Sequence, residues 1–203
     1  MGIEITAAVE GVLDEAIIQR LSEGVGVTIS AVYGKKGKQN LLARLTAYNA
    51  AARYSPWIVL VDLDKDADCA PPFVAATLKT IAPFMCFRVA VRAVEAWLMA
   101  DRERMAEFLR ISRKRIPENP DATEDPKKEI VNLARRSRST KIQEALVPRE
   151  GSGVKVGSQY TAEIMRFIND KAKGWRPEVA SRRSDSLMRC LRCMRRIAAA
   201  DNG

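Results

Sequence analysis

Four aspartates alternate along one stretch of the chain, Asp62, Asp64, Asp66 and Asp68, directly after the apolar run 57–61. Residues two apart on an extended chain face the same side. Asp62 and Asp64 are therefore expected to point into one site while Leu63 points into the core, and the chain is expected to turn near Asp66 and Asp68. Gathered carboxylates repel one another, and some of their pKa values rise unless a cation neutralises them. A hard divalent ion does this well: Mg2+ takes one or two carboxylates and keeps waters for a substrate's phosphates. Lys65 or Arg88 is the alternative neutralising group. Glu10, which ends an earlier apolar stretch, is expected to bring a third carboxylate to the same place.

The chain contains no histidine. Ser-His-Asp and Cys-His catalysis, HExxH metalloproteases and nucleases with a histidine base are thereby excluded. Acid–base work falls to Asp, Glu, Lys, Tyr, Cys or metal-bound water. Cys190 and Cys193 form a CxxC with no second pair, so a four-ligand zinc site is poorly supported and two buried thiols on one helix face are expected. No secretion signal is read in the opening residues, so a disulfide framework is not expected either. Residues 34–38, Gly-Lys-Lys-Gly-Lys, lack the spacing of a Walker A loop. Lys35, Lys36 and Lys38 there are either phosphate contacts beside a permissive glycine backbone or part of a solvated turn.

The elements that must position these residues read as strand and helix in alternation. Strands are expected at 3–9, 25–33, 57–61 and 85–91, and helices at 13–22, 39–53, 73–80 and 93–109. The run 57–61 is apolar throughout, as a strand buried on both faces of a parallel sheet requires. Alternation of this kind predicts an α/β fold, a mostly parallel four-stranded sheet with right-handed crossovers. Ligands bind such sheets beyond the carboxyl ends of the strands, where Glu10, Asp62 and Asp64 lie. Beyond 110 the chain reads as a Pro-containing connection and then basic helices at 127–145, 160–171 and 184–199, with a Gly/Ser-rich loop at 149–157. In the last helix Leu187, Cys190, Leu191, Met194 and Ala198 make an apolar stripe opposite Arg189, Arg192, Arg195 and Arg196. A core of residues 1–110 and a basic helical region 111–203 packed on it is the expected organisation.

A strand ending in Glu10-Gly11 and a later strand ending in Asp62-Leu63-Asp64 resemble the Toprim signature, shared by topoisomerases, bacterial primases and the overcoming-lysogenization-defect nucleases. The stretch 91–101, Val-Arg-Ala-Val-Glu-Ala-Trp-Leu-Met-Ala-Asp, extends the resemblance to small bacterial proteins with a Toprim-like core, often grouped with mobile-element and phage-defence nucleases. The resemblance implies that Glu10 is the general acid/base or a metal ligand and that Asp62 and Asp64 hold Mg2+ or Mn2+; Asp66, which continues the acidic run, is a further candidate ligand. Glu95 either joins them or is a helix-dipole partner of Arg92. Trp97 is expected in the core. No large second domain offers a catalytic tyrosine, so strand passage is not expected.

Of the net charge of +9, residues 1–100 contribute nothing: ten Lys/Arg balance ten Asp/Glu, and the whole excess falls in 101–203. A basic half beside a neutral one points to a polyanion, although ordinary solvated helices carry such charge too. Arg135, Arg136 and Arg138, with Lys141 nearby, and Arg182 with Arg183 are the expected contacts to a nucleic-acid backbone. No apolar run approaches the ~18–20 residues of a membrane span, so the cytoplasm is the expected compartment. The expected function is a Mg2+-dependent phosphodiesterase or nuclease acting on nucleic acid. The alternatives are a non-catalytic subunit binding nucleic acid or a partner such as an ATPase, and a small-molecule phosphotransferase or phosphatase. Oligomeric state is not legible.

Overall fold

A computed structural model describes residues 3–200. In chain order they form β1 (Glu4–Val9), α1 (Val12–Val25), β2 (Thr28–Gly34), α2 (Lys38–Ala43), α3 (Leu45–Ala51), β3 (Trp57–Asp62), α4 (Ala70–Thr77) and β4 (Met85–Ala90). Then follow α5 (Val94–Ala100), α6 (Arg102–Leu109), α7 (Pro126–Ala134), α8 (Thr140–Leu146), α9 (Tyr160–Asn169), α10 (Pro177–Ala180) and α11 (Asp185–Ala200). Short 3-10 turns lie at Arg113–Arg115 and Pro120–Ala122.

The strands make one parallel sheet in the order β2-β1-β3-β4. The alternating α/β reading thus holds, and the order adds what it lacked. The chain leaves β1 for β2 on one side and leaves β3 for β4 on the other, so a crevice opens between the carboxyl ends of β1 and β3. Val59 and its neighbours from Trp57 to Val61 are buried, as befits an inner strand with helices on both faces. Trp57, Val59, Val61 and Leu63 pack with Leu41, Leu45 and Tyr48 on one face. Alternation sends Ile58, Leu60 and, by register, Cys86 to the other face, where α11 covers β4 and meets α1.

The chain divides into two compact units, one of residues 3–91 with 185–200 and one of Arg92–Ser184. The division differs from the expected boundary at 110 for a physical reason. Leu187, Cys190, Leu191, Met194 and Ile197 of α11 are buried, and this helix belongs to the sheet although it is last in the chain. Ile197 replaces the expected Ala198 as the last residue of that stripe.

The second unit is helical. All seven side chains of α5 are buried, Trp97 completely, and Trp175 Nε1 donates to Trp97 O at 3.1 Å. Three helices expected to be continuous are broken. Arg44 separates α2 from α3, Asp101 separates α5 from α6, and 135–139 separate α7 from α8. At Asp101 the cause is visible: the fully buried carboxylate caps α6 through Arg104 N and binds the Arg176 guanidinium at two points, 2.8 Å each. Glu103 takes the same guanidinium at 2.8 Å, which holds its carboxyl below the usual range.

Candidate functional site at the strand tips

The site is built on two strand ends. Glu10 follows β1 directly, and its Oε1 accepts the backbone N–H of Asp62, the last residue of β3, at 2.8 Å. That bond ties the two tips together across the crevice, and residue 10 lies against residue 62 as the sequence pattern expects. Glu10 is half-buried, and desolvation raises its pKa. The Asp62 N–H and Lys38 oppose the rise, while Asp64 and Asp66 add to it. All four groups are thus within electrostatic reach of one carboxyl.

Asp62 and Asp64 are not a simple extended pair. The strand stops at Asp62, and Asp64 adopts φ 51°, a left-handed conformation that aspartate tolerates better than most residues. Leu63 stays fully buried and donates its N–H to Ala90 O at 2.8 Å; Asp66 N then closes a turn on Leu63 O at 3.1 Å. The turn directs Asp64 and Asp66 toward Lys38. Lys38 Nζ lies 2.9 Å from Asp64 Oδ2 and 2.7 Å from Asp66 Oδ2, with the side chain 14% exposed.

Lys38 reaches them because its loop is strapped to β1. Lys35 N donates to Val9 O at 2.9 Å and Gly37 N donates to Glu10 O at 3.0 Å. Gly34, Lys35 and Gly37 all have positive φ. Gly34 is obligatory: a Cβ there would meet Val9 O at 2.3 Å. Lys35 in this loop and Asp64 within the cluster are both non-glycine residues with positive φ, a costly conformation that the surrounding bonds must hold. Burial would lower the Lys38 pKa, but the hydrogen bonds that its ammonium donates to Asp66 and Asp64 outweigh it and the net direction is upward.

Lys38 has a partner set that sequence reading did not foresee, Asp64 and Asp66. It sits among the basic loop residues expected at phosphates, whereas the acids were expected to find Lys65 or Arg88. Arg88 instead donates from Nε to Phe87 O and from Nη1 to Arg189 O of α11. Only the signal of a Gly-x-x-Gly-Lys opening a helix beside β1 could have found Lys38. Lys35 pairs with Glu15 at 3.1 Å, and Lys36 is exposed.

Among the described residues no group of three or more Asp, Glu, Cys or His side chains is close enough to hold a metal ion. Asp64 and Asp66 are instead arranged around an ammonium. Glu95 belongs to the second unit, where it is buried, 3.5 Å from Tyr160 Oη and 3.5 Å from Lys127 Nζ. Burial, with the Glu95 charge next, pushes the Tyr160 hydroxyl well up. Arg135, Arg136, Arg138, Arg182 and Arg183 all belong to that unit; Arg135, Arg136, Arg138, Arg182 and Arg183 are described there on turns between helices. No helix among the described residues is long and apolar enough to cross a membrane.

Compared with known proteins, the chain matches no family model, no curated protein and no solved structure.

Proposed function

We propose that the crevice between β1 and β3 is the centre of a Toprim-like, Mg2+- or Mn2+-dependent nuclease acting on nucleic-acid phosphodiesters. The observation that carries the reading is the bond from Asp62 N–H to Glu10, which places an acid from each of two neighbouring parallel strands at the switch point of the sheet. The donor set is all oxygen, which suits a hard cation, and Mg2+ needs only one or two carboxylates from protein. Glu10, Asp62 and Asp64 are the residues that would hold it, with Asp66 beside them. When bound, the cation supplies charge stabilisation at the phosphoryl oxygens and lowers the pKa of water.

The protein's own groups have clear parts. Glu10, whose raised pKa suits proton transfer, takes the proton of the attacking water. Lys38 holds Asp64 and Asp66 together in the absence of a cation. With a cation held by the acids, Lys38 would be free to meet a substrate phosphate beside the backbone amides of its own loop. Arg135, Arg136, Arg138, Arg182 and Arg183 supply sequence-independent contacts to the polynucleotide backbone.

The test is cleavage of single- and double-stranded DNA and RNA with Mg2+ or Mn2+, in the wild type, Glu10→Gln and Asp62→Asn. A reduction of at least about 100-fold in both variants is expected, the usual scale for a positioned proton-transfer group. Equal activity in all three removes the catalytic claim. A second reading follows from the ammonium among the acids: a non-catalytic subunit that binds nucleic acid or a partner, such as an ATPase. It requires binding that persists without divalent cation and in both variants.

A further inference from the structure

Three of the four cysteines meet where α11 crosses β4, away from the carboxylates and outside any role given above. Cys86 and Cys190 are buried, and Cys193 is half-buried. Cys193 lines a 380 Å3 cleft with Phe87, Arg88, Arg189, Arg192 and Arg196. Among the described residues no carboxylate lines this cleft, and Arg196 Nη2 donates to Cys193 Sγ at 3.8 Å. Two bonds fasten this part of α11 to β4, Arg88 Nη1 to Arg189 O and Arg196 Nη2 to Met85 O, 3.4 Å each; they bracket Cys193 against the buried Cys86, and the two thiols are near enough to interact electrostatically. Cys193 is therefore open to solvent on one side and beside a second thiol on the other. This is the layout of an attacking cysteine backed by a resolving one.

We propose that Cys193 and Cys86 are a redox pair: hydroperoxide oxidises Cys193, and Cys86 then closes a disulfide that fastens α11 to β4. In the first step the Cys193 thiolate attacks the peroxide; an S–O bond forms, the O–O bond breaks, and the departing oxygen leaves as alcohol or water after taking a proton. In the second, the Cys86 sulfur attacks the sulfenic sulfur. The S–S bond forms, the S–O bond breaks, and hydroxide leaves with the Cys86 proton as water. Two thiols give up two electrons and two protons, and one hydroperoxide is reduced.

The electrostatics favour these roles. The hydrogen bond from Cys86 lowers the Cys193 pKa most; burial opposes it, and Arg88 and Arg196 lower it further. Arg189 and Arg192 line the same cleft, and Cys190 is the remaining titratable neighbour. Burial pushes Cys86 and Cys190 up, so Cys193 is the thiol that ionises first. Cys190, one turn before Cys193 on α11, faces the core rather than the cleft.

The reduced full chain is treated with increasing hydrogen peroxide, alkylated, digested and analysed by mass spectrometry. A cross-linked peptide containing Cys86 and Cys193, lighter by two hydrogens, is expected at peroxide levels that leave the exposed Cys69 free. In Cys86→Ala the same treatment is expected to leave Cys193 as a sulfenic acid trapped by dimedone. Alkylation of Cys193 in the untreated wild type should rise with pH to half its maximum well below the ~8.5 of a free thiol. Oxidation of Cys69 before Cys193, a Cys193 cross-link to any other thiol, or a Cys193 alkylation profile matching that of Cys69 overturns the proposal. The two wild-type measurements decide the matter even if the variant fails to fold.

Discussion

Glu10 makes the stability of the strand tips depend on pH. Its carboxyl is raised above its ordinary 4.5 mainly because it is half-buried. Between that value and the raised one the native chain binds more proton than the unfolded chain, so stability falls as pH climbs through the window. Above the window the whole cost of the buried charge is present. Glu10→Gln removes the charge and keeps an oxygen to accept the Asp62 N–H. The variant is expected to be more stable than wild type at pH 7. The gap should close as pH falls toward 4, as thermal unfolding across pH will show. A variant less stable than wild type at pH 7 would mean that Lys38 and the Asp62 amide outweigh desolvation. Lys38 itself divides the two functional readings. Lys38→Met removes the ammonium from beside Asp64 and Asp66 and should strengthen Mn2+ binding, measured by titration calorimetry, while weakening phosphate-dependent turnover.

The loop from β2 to α2 carries the tightest steric demand near the site. Gly34 and Gly37 both have positive φ, but only Gly34 lies against backbone, with Val9 O 2.3 Å from where its Cβ would be. Gly37 has nothing within 4 Å. Gly37→Ala should therefore cost only the left-handed penalty, about 1 kcal/mol. Gly34→Ala adds overpacking against β1 and should cost at least about 3 kcal/mol, or prevent folding. Chemical denaturation of the two variants compares them directly, and equal destabilisation would deny that the loop is strapped to β1. The strands themselves were legible because a buried strand leaves a short apolar run, and β1, β3 and β4 begin or end within a residue or so of where that run does. The helix breaks were not. Asp101 looks like an ordinary helical residue until Arg176 is seen to hold it, and the residues are far apart in the chain.

For the molecule as a whole, charge is the most directly testable property. The excess of Lys and Arg over Asp and Glu lies entirely beyond residue 100. Part of it is internal: Arg166 pairs with Glu163, Arg176 with Asp101 and Glu103, and Arg189 with Asp185. Arg135, Arg136 and Arg138 belong to the second unit, and their charge is the kind that releases counterions from a polynucleotide. If the protein binds nucleic acid as proposed, its affinity for duplex DNA should fall linearly in log–log form as salt rises. Replacing the three arginines with alanine should reduce the slope by up to about 2.7, at about 0.9 for each phosphate no longer neutralised. Fluorescence anisotropy between low and moderate salt measures both slopes; an unchanged slope would take these residues out of the interface.

Composition and local pattern alone determined the α/β alternation, the absence of histidine chemistry, the acids at two strand ends and the basic second half. Each depends only on which residues are near in sequence, through side-chain periodicity and the apolar runs it imposes. Strand order, the assignment of α11 to the sheet, the Lys38 ammonium between Asp64 and Asp66, and the meeting of Cys86 with Cys193 were decided by the tertiary structure. All four join residues distant in the chain, and no local spacing records which distant partner a turn, a left-handed residue or a crossover will bring together.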